Sequence, residues 1–323
     1  MDAILDTVAP VFGLVGMGYG AAKLGWFDES ARRGLALFVF NFAIPVLLLR
    51  TVATTELPGD LPWGYLISYY GGVAFVFAAA MGLGRVLFAG GLDRLAVLGL
   101  GAGFSNTVLL GIPIVLTAFG ERAALPLFLL IAFHGLLVLP PATLLIEAGK
   151  GRDATAPGRS RGRQAATILG QALKGLATNP IILGLAGGLI LNRSGLALPG
   201  PVDTIAERLG AAAVPAALFA LGAGLARFRI AGAVPTALLI VTLKTAIHPL
   251  AVFALAAGVF GLDPLWTGVA VVMAGMPTGI NVYLYAQRYD TAVEPVATAI
   301  FLGTVVAVVT VSVLLSVFVP TGP

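Results

Sequence analysis

Gly103-Phe104-Ser105-Asn106-Thr107-Val108-Leu109-Leu110-Gly111-Ile112-Pro113 interrupts an apolar run over residues 95 to 118, and Gly275-Met276-Pro277-Thr278-Gly279-Ile280-Asn281 interrupts another over 264 to 287. Proline has no N–H to donate, and its ring disrupts the bond to the carbonyl four residues back, here Leu109 for Pro113 and Met273 for Pro277. The glycines let the backbone open at the same places. Lipid offers no partner to a freed carbonyl, so such backbone survives only inside protein or beside a watery cavity. In a single membrane helix, proline and glycine read most simply as a kink. The same interruption near the middle of two separate runs predicts a site.

Outward from these runs the chain is apolar throughout: 323 residues, 59% hydrophobic and 11% charged, which does not suit a water-soluble core. Stretches of bilayer-spanning length fall near 3 to 23, 34 to 52, 63 to 88, 95 to 118, 123 to 147, 172 to 192, 204 to 225, 233 to 260, 264 to 287 and 294 to 318. They are continuous and rich in Ala, Leu and Gly, so the fold class is all-α, a polytopic membrane protein with ten transmembrane helices, and not a barrel. Asp2 and Asp6 stand where a cleavable leader would carry basic residues, so the first helix is expected to be retained. With no cysteine, disulfides and thiolate chemistry are excluded.

Lys and Arg in alternate connections divide into fourteen on one side and four (Arg50, Arg122, Arg193, Arg208) on the other. Positive charge faces inward, so both termini are expected outside, with the basic loop 148–168 cytoplasmic, in a cell inner (plasma) membrane. That loop reads as a flexible linker between a first five-helix repeat, 1–147, and a second, 169–323. At a shift of 170 positions Pro10 meets Pro180, Pro45 meets Pro215, and Gly91-Leu92-Asp93 meets Gly261-Leu262-Asp263; Lys23 with Gly25 likewise meets Arg193 with Gly195. An odd number of crossings in each half turns the second upside down relative to the first, the inverted-repeat plan of secondary transporters.

Lys244 is the one charged side chain placed in the middle of a span, and no acid accompanies it at that depth. Burying a lone ammonium costs roughly 2.5–3.5 kcal/mol on insertion scales, so a charge kept there has a task. All 15 Asp and Glu fall at helix ends or in loops, which argues against a carboxylate pair for Na+ or protons and in favour of an anionic substrate. Lys244 either touches a substrate carboxylate, takes the place of a bound cation, or ties down carbonyls of a broken helix. His248, one turn on, shares the cavity or relieves strain at Pro249. His134 reads as a packing residue and Asn41 as a helix-packing amide. Two histidines on different stretches, with no carboxylate nearby, make a metal site improbable. No nucleophile or zinc motif points to an enzyme, no cofactor is implied, and the basic loop needs no nucleic acid to explain it.

Phe104-Ser105-Asn106-Thr107 with Gly111-Ile112-Pro113, Asn179-Pro180-Ile181-Ile182, Lys244 with Pro249, and Met276-Pro277-Thr278-Gly279 with Asn281 carry a resemblance over essentially the whole chain. The chain resembles the auxin efflux carrier family, within the bile-acid symporter type of fold. The resemblance implies that the fourth and ninth helices cross at their breaks at the midplane, with Asn106 and Asn281 as the crossover asparagines. Ser105, Thr107, Pro113, Pro277, Thr278, Gly279, Lys244 and His248 complete the expected substrate site. It also implies a mobile core of the third to fifth and eighth to tenth helices. A panel of the first, second, sixth and seventh would then form a homodimer in the lipid bilayer. The function implied is elevator-type transport of small organic anions such as malonate or malate, with auxin-like acids at the edge of the range. The residues leave open a sodium- or proton-coupled symporter of larger anions, a channel, or a transporter-like sensor. One departure stands out: stretch 63–88 has no carboxylate where plant carriers place an acidic residue, which counts against auxin and against carboxylate-based proton coupling.

Overall fold

The computed structural model of the chain describes residues 2–55, 62–151, 161–228 and 233–319, and there the backbone is helical with no strand. Up to residue 149 the chain holds α1 (Asp2–Lys23), α2 (Glu29–Thr54), α3 (Trp63–Leu87), α4 (Leu92–Gly103), α5 (Thr107–Phe119) and α6 (Glu121–Gly149). Beyond it lie α7 (Arg161–Ala177), α8 (Pro180–Ser194), α9 (Gly200–Leu225), α10 (Val234–Val259), α11 (Pro264–Gly275), α12 (Ile280–Arg288) and α13 (Val293–Phe318). Among the described residues six helices (α2, α3, α6, α9, α10 and α13) are long and apolar enough to cross a membrane. The other apolar stretches are α1, the interrupted runs α4–α5 and α11–α12, and the pair α7–α8, which is bent by 61°. Residues 152–160 of the expected linker lie outside the described residues; from Arg161 onward the chain is already helical.

Proline sets the local winding of three helices. The turns Val39–Ala43, Thr107–Gly111 and Leu243–Ile247 are π-helical, and each stands two residues ahead of a proline: Pro45, Pro113 and Pro249. The residue just before each proline bonds five residues back, Ile44 to Val39, Ile112 to Thr107 and His248 to Leu243. Widening the turn carries the chain past the carbonyl that the ring would otherwise strike without ending the helix. The bend between α7 and α8 has another cause. Asn179 precedes Pro180 and is held extended (φ −75°, ψ 120°), while its Oδ1 caps the Ile181 N–H at 2.9 Å.

Two close helix pairs form one side of the molecule, α1 along α9 and α2 along α8. Small residues let the backbones touch, as is usual in membrane interfaces. A Cβ on Gly18 would run into the Phe219 carbonyl, and one on Gly188 would run into the Leu49 carbonyl. These two contacts differ by 170 positions at both partners. Asn192 Nδ2 donates to the carbonyls of Val52, Ala53 and Thr55 at 3.0, 3.1 and 2.8 Å, closing the end of α2. On the other side, 95–107 and 267–279 are buried without a gap, so both interruptions lie in the interior. Asn41, expected to pack between helices, is exposed.

Candidate functional site

Where α4 ends, Phe104 turns extended (φ −90°, ψ 106°), and where α11 ends, Met276 does the same (φ −60°, ψ 143°) as the residue before Pro277. The two breaks run antiparallel with Ser105 opposite Thr278. Asn106 N donates to Pro277 O at 2.8 Å and Gly279 N to Phe104 O at 2.9 Å, so backbone groups that no helix satisfies satisfy each other. A Cβ on Gly279 would lie 2.9 Å from a Phe104 ring carbon, which makes glycine a condition of this approach.

The carbonyl ends of the two half-helices also find donors. Thr278 Oγ1 donates to Gly101 O at 2.8 Å. On α11 the donor is Lys244, whose Nζ bonds Ala274 O and stands 3.1 Å from His248 Nδ1. Lys244 and His248 are both fully buried, and no carboxylate is within ion-pair reach of Lys244 among the described residues. An ammonium at the C-terminal end of a helix meets the negative end of its dipole.

Beside the breaks lies a cavity of about 230 Å³. Ser105, Asn106, Thr107, Gly279 and Asn281 line it from the broken runs, His134 from α6, Phe40 from α2, and Asn179 and Ile181 from the α7–α8 bend. No carboxylate is in its lining, and the N-terminal turns of α5 and α12 border it through Val108, Leu109 and Ile280. Helix N-termini present unbonded N–H groups and a positive dipole end, a setting for an anion. Among the described residues the side-chain amides of Asn106 and Asn281 have no protein partner and remain free for a ligand. A second hollow of about 380 Å³ adjoins the first, sharing Gly135, Leu139 and Asn179 with it, and is lined by Thr143, Glu147, Gln171, Tyr285, Arg288 and Tyr289. There Tyr289 donates to Glu147 Oε1 at 3.1 Å; burial and then the carboxylate push the phenol up to about 12, so it stays a donor at neutral pH.

Of the residues singled out from sequence, five line the cavity together. Pro277 and Thr278 form the bridge behind it, and Pro113 sits one turn into α5. Lys244 and His248 lie outside the lining, behind the end of α11. His134 and Asn179 were not chosen as site residues. A histidine in an apolar helix and an Asn-Pro cap are the signals they gave. His134 is buried and packs on Phe104 and Tyr69, in keeping with the packing reading, and in addition Ser105 N donates to its Nε2 at 3.0 Å, its Nδ1 is unpartnered, and the ring borders the cavity. Tyr69 OH donates to Ser105 Oγ at 3.0 Å on the other side of the same residue.

A model of the membrane transport protein family matches residues 3–315. A Rhizobium meliloti (strain 1021) protein named "Putative malonate transporter" is 29% identical over 317 residues, covering 98% of this chain and 96% of that protein. Auxin efflux carrier component 8 of Arabidopsis thaliana is 23% identical over 354 residues, 95% of each chain. A lysosomal cholesterol signaling protein of Mus musculus is 28% identical over 223 residues, 65% of this chain and 24% of that longer protein.

Proposed function

Since the chain belongs to the membrane transport protein family, that of the auxin efflux carriers, we propose that it is a ten-helix, inverted-repeat carrier of small organic anions, with dicarboxylates such as malonate or malate foremost. It is a transporter and not an enzyme. The carrying observation is the mutual bonding of the two breaks, with Asn106 and Asn281 around one cavity that has no acid in its lining. The 170-residue shift, which relates the Gly18–Phe219 contact to the Gly188–Leu49 contact, supports the repeat. The relative named for malonate supports the substrate class.

In this reading the anion sits against the N-termini of α5 and α12, with the two asparagine amides donating to its oxygens. Lys244 takes the place of a bound cation, holding the carbonyl end of α11 and adding positive charge behind the site. The closely packed α1, α2, α8 and α9 form a static panel, which would also be the homodimer surface. The core with the broken runs slides against it, exposing the cavity first to one side and then to the other. Both termini face outward and the 148–168 segment faces the cytoplasm of an inner plasma membrane.

The test is a melting-temperature screen of mono- and dicarboxylates on the purified protein at varied pH and Na+, followed by counterflow of labelled malonate in proteoliposomes. Saturable counterflow of a carboxylate is expected. Stabilisation only by cations or neutral amines, or binding without flux as for a sensor, would overturn the assignment.

A further inference from the structure

His134 is 2% exposed and borders the cavity between the breaks and α6. Its Nε2 accepts the Ser105 N–H at 3.0 Å, and an imidazole nitrogen that accepts carries no proton. The hydrogen of the neutral ring therefore sits on Nδ1. Turning the ring over would put carbon against the Ser105 N–H, so that bond fixes the orientation as well as the tautomer. Phe104 and Tyr69 pack on the ring at 4.4 and 5.8 Å between centroids. The Nδ1–H that results is buried and has no acceptor among the described residues. Native structures leave few buried donors unmet, and those that remain call for a ligand or a function to explain them. Nothing else in the mechanism uses this donor.

Resting on the anion reading above, we infer that His134 is a specificity residue of the transport site, its Nδ1–H donating to one carboxylate oxygen of the bound anion. Because Nε2 is occupied by the broken helix itself, Nδ1 is the one ring nitrogen left to donate, on a residue that lines the cavity. It selects for ligands that offer an acceptor and against amines. It also ties recognition to architecture, since the ring that contacts substrate is the ring that caps the first break.

Two substitutions separate these roles. In His134→Gln the Oε1 reaches the Nε2 position and keeps the Ser105 bond while the Nδ1 donor is gone; in His134→Asn the Nδ2 keeps the donor and the Ser105 bond is lost. Malonate titrations followed by melting temperature, and counterflow in proteoliposomes, should show a half-saturating malonate concentration at least about tenfold higher for His134→Gln at a melting temperature near that of the parent, the size of one hydrogen bond to a charged group. For His134→Asn the malonate concentration should stay within about threefold while the melting temperature falls. The reverse order would mean a purely structural histidine and overturn the inference. The chain has only two histidines, so 15N-histidine spectra read the tautomer directly. A Nδ1-protonated signal that disappears in both variants and moves with malonate is expected; an Nε2-protonated His134 overturns the idea. If the parent binds malonate and His134→Gln binds it equally, this inference fails and the anion reading stands; a parent that binds no carboxylate ends both.

Discussion

Lys244→Met keeps most of an unbranched stem in the same buried slot and deletes only the ammonium. Two energetic terms then change with opposite sign. Ala274 O loses its donor, and a buried acceptor left unmet costs about 1–3 kcal/mol. The burial penalty of the ammonium, about 2.5–3.5 kcal/mol on insertion scales, disappears. The net lies between about 0.5 kcal/mol of destabilisation and about 2.5 kcal/mol of stabilisation, so the melting temperature should move by no more than about 6 °C. Transport should respond quite differently. Without the charge, the carbonyl end of α11 presents about half a negative elementary charge next to the anion. We expect kcat/KM for labelled malonate in proteoliposome counterflow to fall at least about tenfold, or about 1.4 kcal/mol. Counterflow and thermal unfolding in detergent measure the two quantities on one preparation. A variant with parental kinetics would refute the role assigned to the charge, and one that no longer folds would refute the energy balance.

Asn106→Ala and Asn281→Ala should each raise the half-saturating malonate concentration by about tenfold to a hundredfold with little change in melting temperature, as measured by ligand-induced thermal shift. Gly279→Ala would set a Cβ 2.9 Å from the Phe104 ring and 3.1 Å from Ser105 O, and differential scanning fluorimetry should record a loss of about 1–3 kcal/mol. Thr278→Val removes the donor from Gly101 O and should lower stability by about 1–3 kcal/mol, with transport falling alongside because the break loosens. Asn192→Leu frees three carbonyls at the end of α2, and faster amide hydrogen exchange over the last turn of α2 should follow.

The apolar stretches and both interruptions were legible because hydropathy and proline act locally, over a turn or a span. That the two interruptions belong together was legible from their similar make-up near the middle of two separate runs, and Asn106 and Asn281 do border one cavity. What the sequence could not display was set by partners distant along the chain. Lys244 reads as a solitary charge until Ala274, thirty residues later, is brought to it. His134 looks like filling until Ser105 fixes its tautomer. The π-helical turns were missed for a different reason: proline forbids a bond without stating whether the helix ends, as at Pro277, or widens, as at Pro45, Pro113 and Pro249. The bend at Asn179 was hidden within a run that hydropathy treats as continuous.

The bridge between Ser105 and Thr278 is made of main-chain groups, the Asn106 amide on the Pro277 carbonyl and the Gly279 amide on the Phe104 carbonyl. Main-chain bonds are indifferent to which side chains project from them. Asn106 and Asn281 can therefore be exchanged by mutation while the scaffold they hang on persists. Descendants of one such chain are free to change cargo in single steps without passing through an unfolded ancestor, and selection for growth on unfamiliar carbon sources should concentrate its hits at these positions, sparing Gly279 and Pro277.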